Sequence, residues 1–460
     1  MDARIIDELR KVAGIDGVRL DDAAREEAAA DKWFARNVPD AVVFARSTAS
    51  VAGVMRIASR EKIPVTTRGA GHGYVGGCVP VRGGIVLSTA RMDRIKEISA
   101  EDFVAVVEPG AITGHLQDAA RRKGLFYPPD PASLKDCSIG GNIATNAGGP
   151  RCLKYGVTRN YVLGLEVVLA DGTVARVGGR THKNKTGFDL VGIFTGSEGM
   201  LGIVTEATLR LLPWPPARAV LSASFPDMPK AAAAVQSIFA HGHLPSAAEI
   251  ADRFTLEAAR KHAGAETAIP PGEAHLLVEI DGQEASVRAE AAELTGLLRD
   301  AHAVSVESAT TNEGCDRLWA LRRGFSASLK ATGMKKLNED IVVPRGRLVE
   351  LVEFGAQLGR EYDVPVACFG HAGDGNIHVN LMVENPDDPA TKARMERALD
   401  ALFQGVLAMG GSITGEHGVG LAKKRWWKQA IDAGADDLHR RIKRALDPED
   451  LLNPGKFLDQ

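Results

Sequence analysis

Residues 68–77 read Arg68-Gly69-Ala70-Gly71-His72-Gly73-Tyr74-Val75-Gly76-Gly77 and follow the apolar run 63–67 as a loop follows a strand. Glycine supplies five of these ten positions. Because glycine has no Cβ, it tolerates positive φ and lets successive backbone N–H groups converge on an anion such as a pyrophosphate. A tight surface turn has a similar composition, so this stretch alone leaves both interpretations open.

The stretch does not match the dinucleotide fingerprint G-x-G-x-x-G. Gly69 and Gly71 supply its first two glycines, but the third position is Tyr74. Residues 79–87 then predict a strand interrupted by proline and glycine, whereas the fingerprint requires a helix. A dinucleotide bound here would therefore be bound by another fold.

Length and charge narrow the class of protein. The chain has 460 residues and a formal net charge of -3, which predicts two or three domains and argues against nucleic acid as a partner. The charged N-terminal residues predict no signal peptide, and no apolar run reaches membrane-spanning length. The five cysteines are far apart and form no C-x-x-C pair, which indicates a reducing cytosol and no iron–sulfur cluster in this chain.

The first half of the chain contains two further glycine-rich stretches, 137–149 and 195–205. Between the first two stretches, a helix is predicted from Thr113 to Lys123 with Thr113 as its cap. Pro213-Trp214-Pro215-Pro216 predicts a domain boundary. Beyond it, long alanine-rich helices alternate with strands, which predicts an α+β second domain.

The second half carries a pair of histidines at a predicted hairpin. His371 ends one strand and His378 lies in the next, on either side of the turn Gly373-Asp374-Gly375-Asn376. Two imidazoles that converge in this way suit a divalent transition metal, and Asn380 shares the face of His378 because strand side chains alternate. Either histidine could instead be an ordinary core or surface residue.

A second polar group follows in residues 411–420. Glu416 could complete a shell of two histidines and one carboxylate, and His417 would then lie beside the metal in the place of a general base. Arg317, Arg322 and Arg323 lie on one predicted helix. They suit either a substrate carboxylate or a solvated helix face.

Several stretches together resemble a known group of flavoproteins. They are RGAGHGYVGG (68–77), LSTARMDRI (87–95), SIGGNIATNAGGPRCLKYG (138–156), LGLEVVLADG (163–172), FTGSEGMLGIVTE (194–206), GHAGDGNIH (370–378), TGEHGVG (414–420) and LNPGKF (452–457). From residue 39 to residue 457 the chain is similar to the vanillyl-alcohol oxidase type with a PCMH-type FAD domain. The resemblance is to the branch of glycolate oxidase, D-lactate dehydrogenase and D-2-hydroxyglutarate dehydrogenase.

This resemblance implies an α+β fold with a two-part PCMH-type FAD-binding domain and a ferredoxin-like substrate cap. The implied bounds are 1–216 for the FAD domain, 217–410 for the cap and 411–460 for a C-terminal segment that returns to the FAD domain with Glu416 and His417. The implied FAD-binding residues are Arg68, Gly69, Ala70, Gly71, His72, Gly73, Tyr74, Gly77, Pro131, Ser133, Ile139, Gly140, Gly141, Asn142, Thr145, Asn146, Gly148, Gly149, Glu198, Gly199, Ile203 and Asn453.

The resemblance also implies the chemistry. His371, His378 and Glu416 match the metal ligands of the family, for an ion such as Zn²⁺, Mn²⁺ or Fe²⁺. His417 matches its catalytic histidine and Arg322 its substrate-carboxylate arginine. The expected reaction is oxidation of a D-2-hydroxy acid, such as D-lactate, glycolate or D-2-hydroxyglutarate, to the 2-oxo acid. The alternatives are an FAD oxidase of alcohols or sugars that uses O₂, and a flavin subunit without catalysis.

The sequence departs from this branch at two places. Asn338 occupies the position of a lysine in the D-2-hydroxyglutarate branch, with Lys335 and Lys336 slightly earlier, which argues against a dicarboxylate substrate. His72 stands where these dehydrogenases carry threonine or asparagine. In oxidases similar to berberine bridge enzyme, a histidine in such a loop bonds the flavin 8α-methyl group. A covalent link through His72 and a hydrogen bond near the flavin or phosphates both stay open, and the second is favoured.

Partners follow from the same resemblance. Without iron–sulfur cysteines, the chain needs an electron acceptor, and a quinone, an electron-transfer flavoprotein or an iron–sulfur subunit would serve. The expected location is the cytoplasm, with peripheral attachment at the inner membrane face as an alternative. The oligomeric state, a homo-oligomer included, is left open.

Overall fold

The computed structural model describes residues 1–262 and 269–458. The strands are β1 (Val18–Arg19), β2 (Ala41–Phe44), β3 (Val65–Arg68), β4 (Ile85–Ser88), β5 (Ile95–Ser99), β6 (Val104–Val107), β7 (Leu125–Phe126), β8 (Val162–Val168), β9 (Val174–Gly178), β10 (Ile203–Arg210), β11 (Leu212–Pro213), β12 (Ala217–Phe225), β13 (Ala247–Ala251), β14 (Ala274–Gly282), β15 (Ser305–Ala309), β16 (Lys335–Val342), β17 (Val366–His371) and β18 (Asn376–Val383). The α-helices are α1 (Ala3–Ala13), α2 (Asp22–Glu27), α3 (Thr48–Glu61), α4 (Thr113–Arg121), α5 (Ile139–Thr145), α6 (Cys152–Tyr155), α7 (Leu190–Phe194), α8 (Met228–Ala240), α9 (Arg253–His262), α10 (Glu284–Asp300), α11 (Asn312–Ala331), α12 (Leu348–Glu361), α13 (Pro389–Ala408), α14 (Trp427–Ala430) and α15 (Ala433–Leu446).

The chain divides into two compact units. The first comprises Met1–Gly149, Gly156–Trp214 and Glu416–Gln460, and the second comprises Pro150–Tyr155 and Pro215–Gly415. The chain changes unit after Trp214 and after Gly415. The domain bounds that the resemblance implies are at 216 and 410. The sequence did not predict the short excursion of residues 150–155 into the second unit, because the resemblance assigns the whole stretch 138–156 to the FAD domain.

The first unit contains two main sheets. The smaller has the order β1-β2-β4-β3, with β2, β4 and β3 parallel. The larger is antiparallel with the order β5-β6-β10-β8-β9. Helix α3 connects β2 to β3, and β3 leads directly into the glycine-rich stretch at Arg68, as the apolar run 63–67 predicts.

Local sequence explains why α3 forms and where it stops. Ser47 caps its N-terminus by accepting a hydrogen bond from the Ser50 N–H at 3.2 Å. Val51, Val54 and Ala58 recur at helical spacing and are buried against the smaller sheet. The helix ends at Glu61, and its C-cap Lys62 has a φ of 55°, in the left-handed region.

Two local predictions were wrong. The strand expected over 79–87 is confined to Ile85–Ser88, because Gly83 and Gly84 take φ values of 67° and 73° and form a turn before it. Thr113 is not the cap of α4, since Ile112 holds that position. The Thr113 hydroxyl is buried instead and accepts a hydrogen bond from Asn142 Nδ2 at 2.6 Å.

The second unit is built on a seven-stranded sheet with the order β15-β12-β14-β13-β17-β18-β16, and all of its pairs are antiparallel. Apolar residues of α9 and α11 pack on one face of this sheet. Strand register puts Glu249, His371 and His378 on that same face. The face therefore combines a helix-covered core with a group of ionisable side chains.

A buried lysine fixes the C-terminal segment within the first unit. Lys443 on α15 is 1% exposed and pairs with Asp447 at 2.5 Å. Its amino group also donates to the carbonyls of Met200 and Leu452, at 3.0 and 2.9 Å. Because a buried ion pair is favourable only when its hydrogen bonds are satisfied, these contacts stabilise the position of the C-terminal segment in the first unit.

Within the described residues, no helix is both long and apolar enough to cross a membrane.

Candidate active site

The two glycine-rich segments predicted to hold the cofactor meet in the first unit. The Ala70 N–H donates to Ser138 Oγ at 3.3 Å, and a Cβ on Gly69 would collide with that hydroxyl. Ser138 also caps α5 by accepting from the Gly141 N–H at 3.4 Å. The close approach requires glycine at position 69 and places the backbone of both segments side by side, as a nucleotide cradle needs.

Arg68 supports the first segment with its own side chain. Its guanidinium donates to the Ala30 carbonyl at 2.7 Å and lies against Gly71, where a Cβ would collide with it. Gly71 has a φ of 71°, which side chains rarely adopt. Arg68 therefore shapes the loop from within the protein.

The other end of the same loop is held by the C-terminal segment. Asn453 Nδ2 donates to the carbonyls of Gly77 and Glu198, at 2.8 and 2.7 Å. The hydroxyl of Thr67, just before the loop, is buried and makes no hydrogen bond within the described residues. A buried polar atom of this kind fits a site that a polar ligand completes.

The remaining predicted cofactor residues lie in the turn before α5, in α5 itself and in the segment that follows it. Pro131 and Ser133 belong to a turn in which the Cys137 N–H donates to the Ser133 carbonyl at 2.8 Å. Asn146 ends α5 with a φ of 51°. The segment that follows α5 includes Gly149, which packs so closely on the Asp130 backbone that a Cβ would not fit. The predicted residues on or beside α5 are Ile139, Gly140, Gly141, Asn142, Thr145, Asn146, Gly148 and Gly149.

Glu198 has a structural task that the sequence did not predict. Its carboxylate is buried and accepts the backbone N–H groups of Val419 and Gly420, at 2.7 and 2.9 Å. Burial raises the pKa of Glu198, while these two hydrogen bonds oppose the rise. Glu198 therefore holds the loop that carries His417. Of the other predicted cofactor residues, Gly199 follows Glu198 directly and Ile203 begins β10.

The same loop brings His417 against the first glycine-rich segment. The rings of Tyr74 and His417 lie 5.3 Å apart with a tilt of 34°. The Val75 carbonyl accepts the Leu421 N–H at 2.7 Å, which fixes the two backbones together. His417 Nε2 lies 3.9 Å from Glu416 Oε1. The first unit thus joins its glycine-rich loop directly to the predicted general base.

In the second unit, the two predicted metal-binding histidines lie on adjacent strands. His371 ends β17 and His378 lies in β18, and the ring centroids are 5.6 Å apart. Both side chains are buried. Their proximity follows from the hairpin that the sequence predicts, because the intervening turn is only four residues long.

Asp340 fixes the chain where Glu416 begins. It faces His378 in the β16–β18 register, is fully buried, and accepts the Gly415 N–H at 2.9 Å and the Thr414 hydroxyl at 3.0 Å. Glu416 follows Gly415 directly, so its position is set by this anchor. One donor atom each from His371, His378 and Glu416 lies within 4.8 Å of the other two, as metal ligation requires.

Glu249 on β13 completes this group, although no sequence motif marked it. Its Oε1 lies 2.6 Å from His371 Nδ1, and its Oε2 accepts Arg322 Nε at 2.6 Å. Burial alone would raise the pKa of Glu249, but the charges of His371 and Arg322 outweigh it and lower the pKa to about 2. Glu249 is therefore an anion that joins the predicted metal ligand to the predicted carboxylate-binding arginine.

Arg322 alone of the three predicted arginines reaches this face. Arg317 pairs with Glu307 on the surface, and Arg323 donates to the Asp316 carbonyl. The Arg322 guanidinium lies over the Phe369 ring, with its carbon 4.9 Å from the ring centroid.

Although Asn338 replaces the lysine of the related branch, Lys336 places a lysine on the same face of the sheet as His378. Lys336 lies two and four residues before Asn338 and Asp340 on β16, so the three side chains share one face. Its amino group donates to Ser326 Oγ at 3.1 Å. Burial lowers its pKa to about 8, helped by the positive charges of Lys330 and Arg322. A half-buried cation in such positive surroundings is suited to an anionic ligand.

Two amide side chains lie between this lysine and the histidines. Asn338 and Asn380 face each other across β16 and β18. The Oδ1 atoms of both are buried and accept no hydrogen bond within the described part of the chain. Asn380 Nδ2 donates to the carbonyls of Ala367 and His378, so these two hydrogen bonds fix the amide and leave its Oδ1 atom as an acceptor.

Comparison with known proteins identifies two sequence families in the chain. Residues 39–178 match a family model described as an FAD binding domain, and residues 214–457 match one described as the C-terminal domain of FAD linked oxidases.

Curated relatives and solved structures extend this comparison over nearly the whole chain. Glycolate oxidase subunit GlcD of Bacillus subtilis is 39% identical over 92% of this chain and 89% of its own length. D-lactate dehydrogenase of Archaeoglobus fulgidus is 37% identical, with 91% of both chains covered. The structure of p-cresol methylhydroxylase with substrate bound aligns with a TM-score of 0.80 at 20% identity, over 99% of this chain and 96% of that one, which confirms the predicted fold class.

Proposed function

Because this chain belongs to the family of FAD-linked oxidases, we propose that it oxidises a D-2-hydroxy acid to the 2-oxo acid with FAD and a divalent metal ion. The observation that carries the proposal is the grouping of His371, His378 and Glu416, with His417 next in the chain. The relatives named for glycolate and D-lactate support it, since both compounds are 2-hydroxy acids.

FAD, when bound, accepts the hydride that leaves the substrate Cα. Residues 68–77 and 139–149 would hold its phosphates and adenosine with backbone N–H groups. We propose that His72, half-buried in the first segment, makes no covalent bond to the flavin. Acid precipitation should then leave all of the flavin in the supernatant, whereas flavin fluorescence retained by the precipitated chain would contradict this.

A divalent ion such as Zn²⁺, Mn²⁺ or Fe²⁺, when bound, lowers the pKa of an alcohol that it polarises. His371, His378 and Glu416 would hold it, and a donor set of two imidazoles and one carboxylate leaves positions open for substrate. The donor atoms present fit such an ion, because three ligand atoms of the kinds that these ions prefer converge there.

His417 would take the hydroxyl proton on a ring nitrogen. It lies next to Glu416 in the chain and 3.9 Å from its carboxylate, which is close enough to reach a hydroxyl held beside that ligand. The contact with the Tyr74 ring and the backbone that Glu198 binds at Val419 limit the orientations of the imidazole. A base fixed in this way contributes through proximity and orientation.

Arg322 and Lys336 would bind the carboxylate of the substrate. Arg322 uses Nε for Glu249, so its remaining N–H groups are available for a planar carboxylate. Lys336 adds a second cation on the same face. With two cations there, D-2-hydroxyglutarate is a substrate candidate alongside D-lactate and glycolate, despite the asparagine at position 338.

The electrons must then leave the flavin. We propose a docking acceptor, such as a quinone, an electron-transfer flavoprotein or an iron–sulfur subunit, and a cytoplasmic or peripheral membrane location. The relative called glycolate oxidase subunit GlcD is named as a subunit, which supports a multi-chain arrangement here.

Anaerobic mixing with a panel of D- and L-2-hydroxy acids tests the proposal. Metal content is assayed on the same sample, and a D-acid should bleach the flavin. The His417→Ala variant should keep yellow, bound FAD but lose bleaching, whereas His439→Ala, an exposed histidine of the same unit, should bleach normally. Normal bleaching by His417→Ala would end its role as the base.

The other outcomes separate the alternative functions. If no acid bleaches metal-replete protein, the proposed reaction is refuted. Bleaching by an alcohol or sugar in metal-free protein, with H₂O₂ release in air, would identify an O₂-using oxidase instead.

A further inference from the structure

Glu249 occupies a central place in the second unit without belonging to any motif. It lies in β13 with its side chain 1% exposed, opposite His371 in the register of β13 and β17. Both carboxylate oxygens are already engaged at 2.6 Å, one by His371 and one by Arg322. The converging group of potential ligand atoms comes from His371, His378 and Glu416, and Glu249 is not part of it.

The contact with His371 selects one tautomer of the imidazole. An ionised carboxylate can only accept hydrogen bonds, so Nδ1 of His371 must carry the hydrogen. In the neutral imidazole that metal ligation requires, Nε2 then keeps its lone pair and is the atom that can bind a metal ion. The strong acceptor on Nδ1 also makes the imidazole a better donor to the metal and fixes the ring plane.

The contact with Arg322 selects the orientation of the guanidinium. Arg322 is held at Nε, and its side chain is only 13% exposed. The guanidinium is planar, so fixing Nε and stacking the group on Phe369 determine where the terminal N–H groups point. A bidentate carboxylate contact depends on that direction.

We propose that Glu249 is a positioning residue that sets His371 for the metal ion and Arg322 for the substrate carboxylate at the same time. One buried carboxylate would thereby position both groups that recognise the substrate, the metal ion that binds its hydroxyl and the arginine that binds its carboxylate. This inference deepens the proposed function and rests on it, but its first test needs no turnover.

The isosteric variant Glu249→Gln gives that test. A glutamine can still accept from Arg322 with its oxygen, but its amide group then faces His371 and donates to Nδ1. The imidazole must take the other tautomer, in which Nε2 carries the hydrogen and cannot bind a metal. We expect the Zn²⁺ affinity of the metal-stripped, FAD-loaded protein to fall by about 10- to 100-fold, measured by competition with a chromophoric chelator.

Glu279→Gln is the matched control. Glu279 lies on the same face of the sheet in β14, and it is as deeply buried as Glu249 and bonded to Arg151 and Trp319. The Glu279→Gln substitution therefore removes an equally buried charge from the same sheet without changing a contact of His371 or Arg322. Its variant should bind Zn²⁺ as the parent does.

A second variant covers a failure of Glu249→Gln to fold. Glu249→Asp keeps the charge but is one methylene too short to reach both partners, so it should weaken Zn²⁺ binding or raise KM for the hydroxy acid at saturating metal. A structural role alone would lower thermal stability and leave both quantities unchanged.

The outcomes are distinct. Folded Glu249→Gln that binds Zn²⁺ within about twofold of the parent would overturn the inference, and so would an equal loss in Glu279→Gln. Loss of Zn²⁺ affinity confined to the Glu249 variants would support it, even if no 2-hydroxy acid bleached the parent flavin.

Discussion

The anchoring of Gly415 by Asp340 leads to a quantitative prediction. In Asp340→Asn, Oδ1 can still accept from Asn376 Nδ2, which lies 2.7 Å away in the parent. An NH₂ group replaces the oxygen that accepts from Thr414 and Gly415. The threonine hydroxyl can turn and accept instead, but the Gly415 N–H has no such freedom. The variant therefore loses one hydrogen bond to a charged acceptor.

A hydrogen bond of this kind contributes about 1.5–3 kcal/mol. Glu416 depends on that anchor for its position, so the loss should appear in the affinity for metal. Since every 1.4 kcal/mol is a factor of ten, the dissociation constant for Zn²⁺ should rise by about 10- to 150-fold. The assay is chelator competition on metal-stripped protein that retains FAD.

Asp252→Asn provides the comparison. Asp252 also accepts backbone N–H groups with its carboxylate, from Thr255 at 2.9 Å and Cys368 at 2.7 Å, but it has no contact with residues 414–415. Its variant should lose stability without losing metal affinity. If Asp340→Asn bound Zn²⁺ as tightly as the parent, or if Asp252→Asn were weakened equally, the reasoning about the anchor would be refuted.

Lys336 has a pKa lowered to about 8, so it loses its proton as the pH rises through that value. The KM for the hydroxy acid should therefore increase above pH 8, and Lys336→Met should have a high KM without this dependence. Tyr74→Leu should slow flavin bleaching, measured per bound FAD, about tenfold, because the ring that limits the motion of His417 is lost. Tyr74→Phe keeps that ring and should retain most of the rate, and equal rates in both variants would contradict the role of the ring. Gly69→Ala should purify with little FAD because its Cβ collides with the second glycine-rich segment, whereas Gly296→Ala, where a Cβ meets nothing, should retain FAD.

Some of this architecture could be predicted from the sequence because the signals are local. The Pro-rich break at 213–216, the hairpin between His371 and His378, and the glycine-rich segments each depend on neighbouring residues. The hairpin brings two residues together through one short turn, so their spacing alone predicts their proximity. The extent of the strand at 85–88 could not be predicted as reliably, because the conformation of Gly83 and Gly84 decides it.

The rest of the site depends on tertiary contacts that leave no local trace. Glu249 lies in an alanine-rich strand, 122 positions from His371, and nothing in the sequence pairs them. The place of Lys336 depends on the register of β16 against β18, which moves a side chain to the other face with a shift of one residue. Glu198 was expected to line the cofactor, and its two backbone partners, more than 200 positions away, became visible only in the fold.

The proposed function depends on metal-assisted oxidation at His371, His378 and Glu416. Its most direct test is the rate of anaerobic flavin bleaching by the best D-2-hydroxy acid, measured before and after removal of the metal with a chelator. We expect bleaching to stop in protein whose metal content is verified as negligible, and to return on addition of Zn²⁺ or Mn²⁺. Bleaching at an unchanged rate in the metal-free, FAD-loaded protein would contradict it.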